Sequence, residues 1–503
     1  MPTLTDKKAA RPTKRSIGRP AAELIFGDLW EFDPSPETAD PKLKPRYELF
    51  IGGEFVAPAS GKYFDSINPS NETKIAEFAL GGAADVEAAF AAAQKAQPAW
   101  AKLPGKERAK YIYRVARLLQ DRAREFAVAE TMDNGKPIKE TRDFDVPMAA
   151  AHFFYHAGWA DKLEYVAPGR RVAPLGIVGQ VIPWNFPLLM MAWKLAPALA
   201  VGNCAVIKPA TNTPLCAIKL AEIIQDAGLP PGVVNIITGP GSTGGAIMAH
   251  PLAAKIAFTG STEVGKVIMR SVAGTEKRMT MELGGKAANI VFDDAPLDQA
   301  VEGIVNGIFF NQGQVCCAGS RLLVHEPVAD EVVAKLKNRL RVLRVGDPLD
   351  KNTDVGAIVS RDQLETVQSY LDAGTKEGAT MWQPSCRLPK KGFYLPPTIF
   401  TNVTMSHRIA REEIFGPVLS IITFRTVDEA IEKANNTAYG LSAGVWTDKG
   451  SRILKMSTEL KAGVVWANTF NKFDPTSPFG GYKESGFGRE GGRQGLLDYC
   501  KLV

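Results

Sequence analysis

Residues 176–208 read GIVGQVIPWNFPLLMMAWKLAPALAVGNCAVIK, and this stretch decides the fold. Two short apolar runs, Gly176–Ile182 and Asn203–Lys208, flank the helical stretch Leu188–Ala200. Short apolar runs that alternate with helical stretches predict βαβ units, in which helices cover the faces of a parallel sheet. The alternation continues through the apolar runs Val233–Thr238, Lys255–Thr259 and Ala288–Phe292 and the helical stretches Pro214–Ala227, Thr243–His250 and Glu263–Val272.

The second half of the chain repeats the alternation of short apolar runs and helical stretches. Residues 83–130, which precede the first alternating region, have a helical pattern. The sequence therefore predicts an α/β protein with two doubly wound, Rossmann-like domains that join near residue 285. In the second domain we expect the strands Arg321–His325 and Val418–Phe424 and the helices Ala329–Leu340 and Val427–Asn435.

Residues 1–45 differ in composition from the rest. The first 20 residues contain one acidic residue, Asp6, against the basic residues Lys7, Lys8, Arg11, Lys14, Arg15 and Arg19. A proline-rich segment follows and ends at Pro45. We expect residues 1–45 to be a disordered leader, and a mitochondrial transit peptide is the alternative.

The composition argues against several classes of protein. A net charge of +6 over 503 residues is too weak to predict a nucleic-acid surface. No apolar run reaches the ~18 residues that cross a bilayer, so no membrane partner is expected. Six scattered or adjacent cysteines favour a reducing compartment, and we expect the cytoplasm. His152 and His156 lack nearby ligand residues in the sequence and are interpreted as structural, so no metal site is expected.

Two glycine-containing turns are candidate phosphate sites. Gly239-Pro-Gly241-Ser-Thr-Gly244 follows a predicted strand and opens a helix, as a dinucleotide-binding turn does. No acidic residue follows a strand about 20 residues later, so an ordinary turn is equally compatible. Gly260–Gly265 also follows a strand, and its amide groups are placed equally well for a phosphate or for a simple turn.

Three polar residues are candidates for chemistry. Cys316 lies in a glycine-rich and polar stretch after an apolar helix, where a thiol is able to react. The alternative is that Cys316 and Cys317 are small buried residues. Glu282 precedes two glycines and is either a base or a surface residue at a turn. The Asn185 amide either donates to an oxyanion or caps the next helix.

Taken together and in this order, seven blocks resemble the aldehyde dehydrogenase superfamily. The resemblance extends from about Tyr47 to Lys501, and the long leader with the short C-terminal end resembles the first module of two-module members. It implies an NAD(P)-dependent enzyme that oxidises a small-molecule aldehyde to the acid. The matching blocks are Pro183–Pro187, Lys208–Ala210, Phe258–Gly265, Glu282–Lys286, Phe310–Cys316, Glu412–Pro417 and Pro478–Gly486.

The resemblance implies a role for each candidate catalytic residue. Cys316 matches the family's nucleophile, which forms a thiohemiacetal and then a thioester. Asn185, with the Cys316 backbone N–H, matches the oxyanion donors. Glu282 matches the base that activates water for thioester hydrolysis. Lys194 and Glu490 match positions of a supporting proton network.

The resemblance also implies a cofactor site and a substrate tunnel. Many NAD-preferring members carry a glutamate where this chain has Thr211, and a threonine does not repel a 2′-phosphate, so we expect NAD or NADP to bind. Aromatic tunnel walls suit a medium-sized apolar or aromatic aldehyde. The implied cofactor residues are Ile182, Trp184, Lys208, Thr211, Gly241, Gly260, Ser261, Gly265, Glu413 and Phe415, and the implied tunnel residues are Met148, Phe186, Trp193, Phe473 and Phe479.

The resemblance divides the chain into domains. We expect residues 46–161 and 174–284 to form the NAD(P)-binding domain and residues 285–484 the catalytic domain. Residues 162–173 and 485–503 match a shortened oligomerisation element, which favours a homodimer over a tetramer and leaves room for a separate partner subunit.

Three rival functions stay open at the level of sequence. They are a CoA-acylating dehydrogenase, a catalytically inactive relative and a thiol redox sensor that uses Cys316 and Cys317. Glu282 argues against acyl transfer to CoA, because only hydrolysis needs that base. The joint presence of Cys316, Glu282 and Asn185 argues against an inactive relative, and adjacent cysteines form only a strained disulfide.

Overall fold

The computed structural model describes residues 34–503. Its helices are α1 (Ala83–Lys102), α2 (Gly105–Asp121), α3 (Ala123–Asn134), α4 (Ile138–Glu140), α5 (Val146–Ala157), α6 (Pro187–Val201), α7 (Leu215–Asp226), α8 (Gly241–Ala249), α9 (Thr262–Val272), α10 (Leu297–Phe309), α11 (Ala329–Arg341), α12 (Arg361–Lys376), α13 (Arg408–Arg411), α14 (Val427–Asn435), α15 (Gly450–Glu459) and α16 (Gly492–Leu497). A π-helical turn, Thr141–Asp145, joins α4 to α5.

The strands form two large sheets and three small ones. In chain order they are β1 (Arg46–Tyr47), β2 (Leu49–Ile51), β3 (Glu54–Val56), β4 (Tyr63–Asn68), β5 (Thr73–Ala79), β6 (Val172–Pro174), β7 (Ile177–Val181), β8 (Cys204–Lys208), β9 (Val234–Ile236), β10 (Ala253–Thr259), β11 (Arg278–Glu282), β12 (Ala288–Val291), β13 (Arg321–His325), β14 (Thr380–Trp382), β15 (Thr398–Thr401), β16 (Val418–Phe424), β17 (Tyr439–Gly440), β18 (Ser442–Trp446), β19 (Val464–Ala467), β20 (Tyr482–Lys483), β21 (Gly486–Phe487) and β22 (Cys500–Leu502).

The first large sheet has eight strands in the order β21-β11-β10-β7-β8-β9-β2-β3. Strands β11, β10, β7, β8 and β9 run parallel to one another, and β21, β2 and β3 add antiparallel at the two edges. The second large sheet has the order β14-β15-β16-β13-β12-β18-β19, and only β14 pairs antiparallel. The prediction of two doubly wound α/β sheets is confirmed.

The predicted elements agree with the structure except where the sequence pattern is mixed. Residues 83–130 form parts of three helices, because Pro104 ends the first and the chain turns again at Arg122. Strand β11 was missed, because its sequence RMTME mixes polar and apolar residues. Glu282 lies buried at the carboxyl end of β11, the strand beside the edge strand β21, and not at a surface turn.

Helix α6 is the most deeply packed helix around the site. Every residue from Pro187 to Val201 is buried, as expected of a helix that is apolar on all sides. Helices α5 and α7 and strand β8 pack against it. Trp193 and Lys194 project from this helix, so their side chains are fixed by packing on all sides.

Part of the predicted leader lies outside the described residues, and the rest makes defined contacts. Pro36 pairs with Asp350, and the Glu37 backbone N–H donates to the Leu349 carbonyl at 2.8 Å. Residues 34–45 therefore differ from the free tail that we expected, because backbone groups of the second half of the chain pair with them. The alternative of a transit peptide concerns residues 1–33 and lies outside the described residues.

The two segments predicted to form the oligomerisation element meet in the structure. Strand β6 pairs antiparallel with β22, so Val172 faces Leu502 in the ladder. Strand β21 instead joins the eight-stranded sheet beside β11. No helix within residues 34–503 combines the length and apolar character that a membrane crossing needs.

Candidate active site

A cavity of about 800 Å³ opens at the carboxyl ends of the parallel strands in the eight-stranded sheet. Strand β8 ends at Lys208, β10 at Thr259 and β11 at Glu282, and all three residues line the cavity. Parallel strands place their carboxyl ends at one edge, so residues far apart in sequence meet there. The predicted residues that line the cavity are Ile182, Trp184, Asn185, Phe186, Trp193, Lys208, Thr211, Gly241, Gly260, Ser261, Glu282, Cys316, Glu413, Phe415, Phe473 and Phe479.

Lys194 and Glu490 lie behind the cavity wall. They form a fully buried ion pair between Lys194 Nζ and Glu490 Oε1. Glu490 raises the pKa of Glu282 and Lys194 lowers it, so both charges act on the buried carboxyl at the cavity wall. Removing one partner of a buried ion pair typically lowers the free energy of unfolding by about 3–5 kcal/mol, so each residue of this pair is needed to keep the other in place.

Met148 and Gly265 are the other predicted residues outside the cavity wall. Gly265 lies in α9, where an added Cβ would come within 2.5 Å of Leu283, so its role is close packing of the helix. Met148 lies in α5 and packs against the core, and Phe144 lines the tunnel instead. The π-helical turn that contains Phe144 shifts the register of the chain, and sequence counting did not anticipate it.

Three consecutive residues before the thiol have left-handed backbone angles. The φ values are 47° for Asn311, 55° for Gln312 and 72° for Gly313. A side chain at residue 313 would not fit, because an added Cβ would lie 2.0 Å from the Gly416 carbonyl oxygen. This tight loop brings Cys316 to the cavity wall, where the residue is partly exposed.

The Asn185 amide lies next to the thiol loop. Its Nδ2 donates to the Gln314 carbonyl at 2.9 Å, and its own backbone carbonyl accepts from Asn311 Nδ2 at 2.8 Å. A side-chain amide carries two N–H groups, so one donor of Asn185 remains for an oxygen in the cavity. The residue is buried, so this donor is held in a fixed direction.

The Glu282 carboxyl is buried, and neither oxygen has a hydrogen-bond partner among residues 34–503. Burial raises its pKa well above the ordinary value, Glu490 raises it further and Lys194 opposes this. An added Cβ at Gly480 would lie 2.9 Å from Glu282 Oε1, so the glycine makes room for the carboxyl. A carboxyl with a raised pKa is suited to accept a proton near neutral pH.

The surroundings of Cys316 favour the protonated form of its thiol. The hydrogen bond with the Cys317 side chain raises its pKa, and burial raises it further. Because the thiolate is the nucleophile, the proton has to leave before attack. Burial, Glu490 and Cys316 all raise the pKa of Glu282, and both Cys316 and Glu282 line the same cavity.

The cofactor end of the cavity has groups that fit a dinucleotide. Burial lowers the pKa of Lys208 to about 8, and its Nζ donates to the Pro209 carbonyl at 2.7 Å. Ser261 caps α9 by accepting from the Val264 N–H at 3.3 Å. An added Cβ at Gly241 would meet no atom within 4 Å, so its backbone is open to an approaching phosphate. Within residues 34–503 no cluster of metal-binding side chains is present.

Glu413 and Phe415 border the middle of the cavity. Glu413 Oε1 accepts from the Gly285 N–H at 3.0 Å, and burial raises its pKa to about 7. Phe415 has a left-handed φ of 57° and meets the Trp184 ring edge-on at 5.1 Å. These contacts fix a carboxyl and two rings between the thiol and the open cofactor end.

Aromatic side chains line the end of the cavity around Trp193 and Phe473. Phe473 contacts Trp193 at 6.2 Å and Phe479 at 5.6 Å between ring centroids. His152, on α5, accepts the Trp193 indole N–H, so the histidine pair is structural as the sequence suggested. Sequence reasoning missed Phe144, Phe310, Leu189 and Met190 in this wall. Phe310 begins the block Phe310–Cys316 that matches the family, and its place in that block could have identified it as a residue of the cavity wall.

Comparison with known proteins agrees with this geometry. The model of the aldehyde dehydrogenase family matches residues 55–503. Aldehyde dehydrogenase B of Escherichia coli is 45% identical over 487 residues, covering 92% of this chain and 94% of that protein. The mitochondrial benzaldehyde dehydrogenase of Antirrhinum majus is 44% identical over 479 residues, covering 93% of this chain and 90% of that protein.

Solved structures show the same fold. A mutant indole-3-acetaldehyde dehydrogenase of P. syringae, in complex with NAD+ and IAA, superposes with a TM-score of 0.89 at 41% identity. The match covers 92% of this chain and 96% of that one. The chain therefore belongs to the aldehyde dehydrogenase family and is an enzyme that oxidises aldehydes to carboxylic acids with NAD(P)+.

Proposed function

We propose that Cys316 is the nucleophile of this oxidation and that Glu282 is its base. The observation that carries the proposal is that Cys316, Glu282 and Asn185 line one cavity, with the Glu282 carboxyl buried and without a hydrogen-bond partner among residues 34–503. Glu282 first accepts the thiol proton. The Cys316 sulfur then bonds to the aldehyde carbon, and the carbonyl oxygen becomes the oxyanion of a thiohemiacetal.

The oxyanion is stabilised by preorganised donors. The remaining N–H of the Asn185 amide and the Cys316 backbone N–H are the proposed pair. Removing one such donor typically raises the barrier by about 2.7–4 kcal/mol. Because Asn185 is buried and hydrogen-bonded on both its amide and its backbone, it need not reorganise during the reaction.

NAD(P)+, when bound, accepts a hydride from the thiohemiacetal carbon. Loss of the hydride leaves a thioester on Cys316. Once Glu282 has released the thiol proton to solvent, it takes a proton from water. The hydroxide attacks the thioester carbon, and the C–S bond breaks to give the carboxylic acid and the Cys316 thiolate, which takes the proton back from Glu282. Burial is the main cause of the raised pKa of Glu282, and the buried Lys194–Glu490 pair modifies it, with Glu490 raising the pKa and Lys194 lowering it.

Lys208, Thr211, Gly241, Gly260 and Ser261 are the proposed contacts of the adenosine half of the cofactor. Thr211 is neutral and donates to the Gly239 carbonyl at 3.0 Å. With no carboxylate at this position, the site does not repel a 2′-phosphate, so we infer that NADP is accepted beside NAD. Glu413 and Phe415, with Ile182 and Trp184 nearby, are the proposed contacts of the nicotinamide half.

The proposed substrate is a medium-sized apolar or aromatic aldehyde. Phe186, Trp193, Phe473 and Phe479 form a wall of packed rings, with Phe144 and Phe310 beside them. Flat aromatic substrates pack well against such surfaces. The names of two relatives, a benzaldehyde dehydrogenase and an indole-3-acetaldehyde dehydrogenase, support the same substrate class.

The proposal is tested by following NAD(P)H formation with propanal and benzaldehyde, with each cofactor separately. We expect turnover by the wild type and by the matched control Cys317→Ala, and none by Cys316→Ala. Turnover by Cys316→Ala would reject the proposed nucleophile. A requirement for CoA as the acyl acceptor would reject the proposed hydrolysis by water.

We further propose a homodimer, with a separate partner subunit as the alternative. Val267 on α9 is 61% exposed and does not line the cavity, and an apolar side chain this open on a helix face suits a protein interface. Light scattering of the pure protein is expected to give twice the chain mass. A monomer would reject the homodimer, and a monomer that assembles only with a second polypeptide would favour the alternative.

The proposed compartment is the cytoplasm. All six cysteines are free thiols. Free thiols of this kind persist in a reducing compartment. Fractionation of the source cells, with the protein detected by antibody, tests this assignment.

A further inference from the structure

The left-handed run Asn311–Gly313 is held by a carboxyl group from a distant helix. Non-glycine residues in this conformation typically cost about 1–3 kcal/mol each and persist only where surrounding contacts impose them. The Glu140 carboxyl accepts the Asn311 backbone N–H at 2.9 Å. Glu140 ends the short helix α4 and is buried, with 7% of its surface exposed.

Asn311 connects this carboxyl to both segments of the proposed oxyanion site. Its Nδ2 donates to the Asn185 carbonyl at 2.8 Å and to the Gln314 carbonyl at 3.3 Å. Asn185 Nδ2 donates to the same Gln314 carbonyl at 2.9 Å. Asn311 and the direct Asn185–Gln314 bond therefore fix the separation between the Asn185 segment and the loop that carries Cys316.

Glu140 is built into a buried group of charges. Lys136 Nζ lies 2.6 Å from Asp145 Oδ2, 3.5 Å from Glu130 Oε1 and 4.0 Å from the Phe186 ring centroid. Burial raises the pKa of Glu140 to about 8, and Lys136 opposes the rise. A neutral carboxyl still accepts an N–H through its carbonyl oxygen, so a glutamine at this position keeps the bond.

We propose that Glu140 is a positioning residue for aldehyde oxidation, which acts by fixing Asn311 and thereby the geometry between Asn185 and Cys316. This inference deepens the proposed function and rests on the roles assigned there to Asn185 and Cys316. Glu140 does not line the cavity, so it acts only through the loop. A displacement of about 1 Å at a reacting group reduces turnover by about 100-fold.

Three substitutions at Glu140 distinguish the effect of losing its hydrogen bond from the effect of changing the side chain that fills its buried position. Glu140→Met fills the space without an acceptor, Glu140→Asp withdraws the carboxyl by one methylene, and Glu140→Gln keeps the acceptor. We expect kcat to fall by at least about 20-fold in the first two, with KM for NAD within about twofold, and to stay within about threefold in Glu140→Gln. If Glu140→Met does not fold, the comparison of kcat between Glu140→Asp and Glu140→Gln tests the role of the hydrogen bond.

Asp133→Leu is the matched structural control. Asp133 is buried in α3 and accepts a backbone N–H from Leu215 at 2.9 Å, but it does not line the cavity or contact the thiol loop. We expect Asp133→Leu to lower the melting temperature about as much as Glu140→Met while kcat stays within about twofold. A folded Glu140→Met or Glu140→Asp with unchanged kcat would overturn the inference. An equal kcat loss in Asp133→Leu, or in Glu140→Gln, would overturn it as well.

A second readout does not depend on turnover. The rate of Cys316 alkylation by iodoacetamide measures how accessible the loop leaves the thiol. It is followed by mass spectrometry in a Cys317→Ala background. We expect alkylation at least about threefold faster in Glu140→Met than in Glu140→Gln, because the released loop exposes the thiol. Equal rates would overturn the inference, and loss of turnover in the wild type itself would instead reject the proposed function.

Discussion

At the cofactor end of the cavity, side chains bond to groups close by in the sequence, whereas the thiol end is held from far away. The partners of Lys208, Ser261 and Thr211 are 1, 3 and 28 positions distant. The partners of Asn311, Gln314 and Gln312 at the thiol end are 171, 129 and 45 positions distant. These side-chain bonds at the cofactor end therefore span shorter sequence separations than the bonds that hold the thiol end.

Two of the carboxyl groups that line the cavity, Glu282 at the thiol end and Glu413 at the middle, differ in hydrogen bonding. Glu413 accepts a backbone N–H, and burial raises its pKa to about 7. Neither oxygen of Glu282 has a partner among residues 34–503, and its pKa lies further above the ordinary value. A carboxyl without partners is free to accept protons from other groups, and one with a partner is better suited to hold a ligand.

The largest expected effect is at the thiol end. Glu282→Gln is expected to lower steady-state turnover by about 10²–10⁴-fold, because the amide does not take a proton from water. We expect a burst of NADH close to one per active site to remain at high pH, where solvent ionises the thiol. Rapid-mixing absorbance measures both quantities. A variant that turns over at the wild-type rate would show that another group serves as the base.

The second effect compares one glycine from each end. Gly313→Ala places a Cβ 2.0 Å from the Gly416 carbonyl oxygen at a φ of 72°, whereas Gly241→Ala meets no atom within 4 Å. We expect Gly313→Ala to lose at least about 3 kcal/mol of unfolding free energy and Gly241→Ala less than about 1 kcal/mol. Urea denaturation of the two variants tests this. Equal losses would contradict the contrast between local and long-range construction.

The third effect is confined to the cofactor end. Thr211→Glu is expected to raise KM for NADP by about 10-fold and to leave KM for NAD within about threefold, because the carboxylate repels only the 2′-phosphate. Thr211→Gln is the control of equal size without charge. If both substitutions raise KM for NADP equally, the size of the side chain and not its charge controls the choice of cofactor.

The smallest effect is a pH dependence of cofactor binding. Burial raises the pKa of Glu413 to about 7, so this carboxyl gains its charge as the pH rises from 6 to 8. An ionised carboxylate accepts stronger hydrogen bonds from ribose hydroxyls, so Kd for NAD is expected to decrease about fivefold over this range. Calorimetry at pH 6 and pH 8 measures it. Glu413→Gln should show little change, and a wild type with constant Kd would contradict the proposed contact.

Sequence reasoning predicted best what depends on local pattern. The strands Arg321–His325 and Val418–Phe424 and the helix Val427–Asn435 have the expected bounds, because apolar periodicity records which face of each element is buried. The mixed strand β11 and the π-helical turn with Phe144 were not predicted. Their residues take these forms because neighbouring strands and helices impose them.

The sequence by itself determined the α/β class, the family resemblance and the identity of Cys316, Glu282 and Asn185 as candidates, because short blocks of glycine, amide and thiol residues are specific in combination. Only the tertiary structure decided that Glu140 holds Asn311. Only the tertiary structure decided, too, that Phe144 and not Met148 lines the tunnel. Such contacts join segments that no local pattern relates, since they form only after the two sheets and α6 have packed.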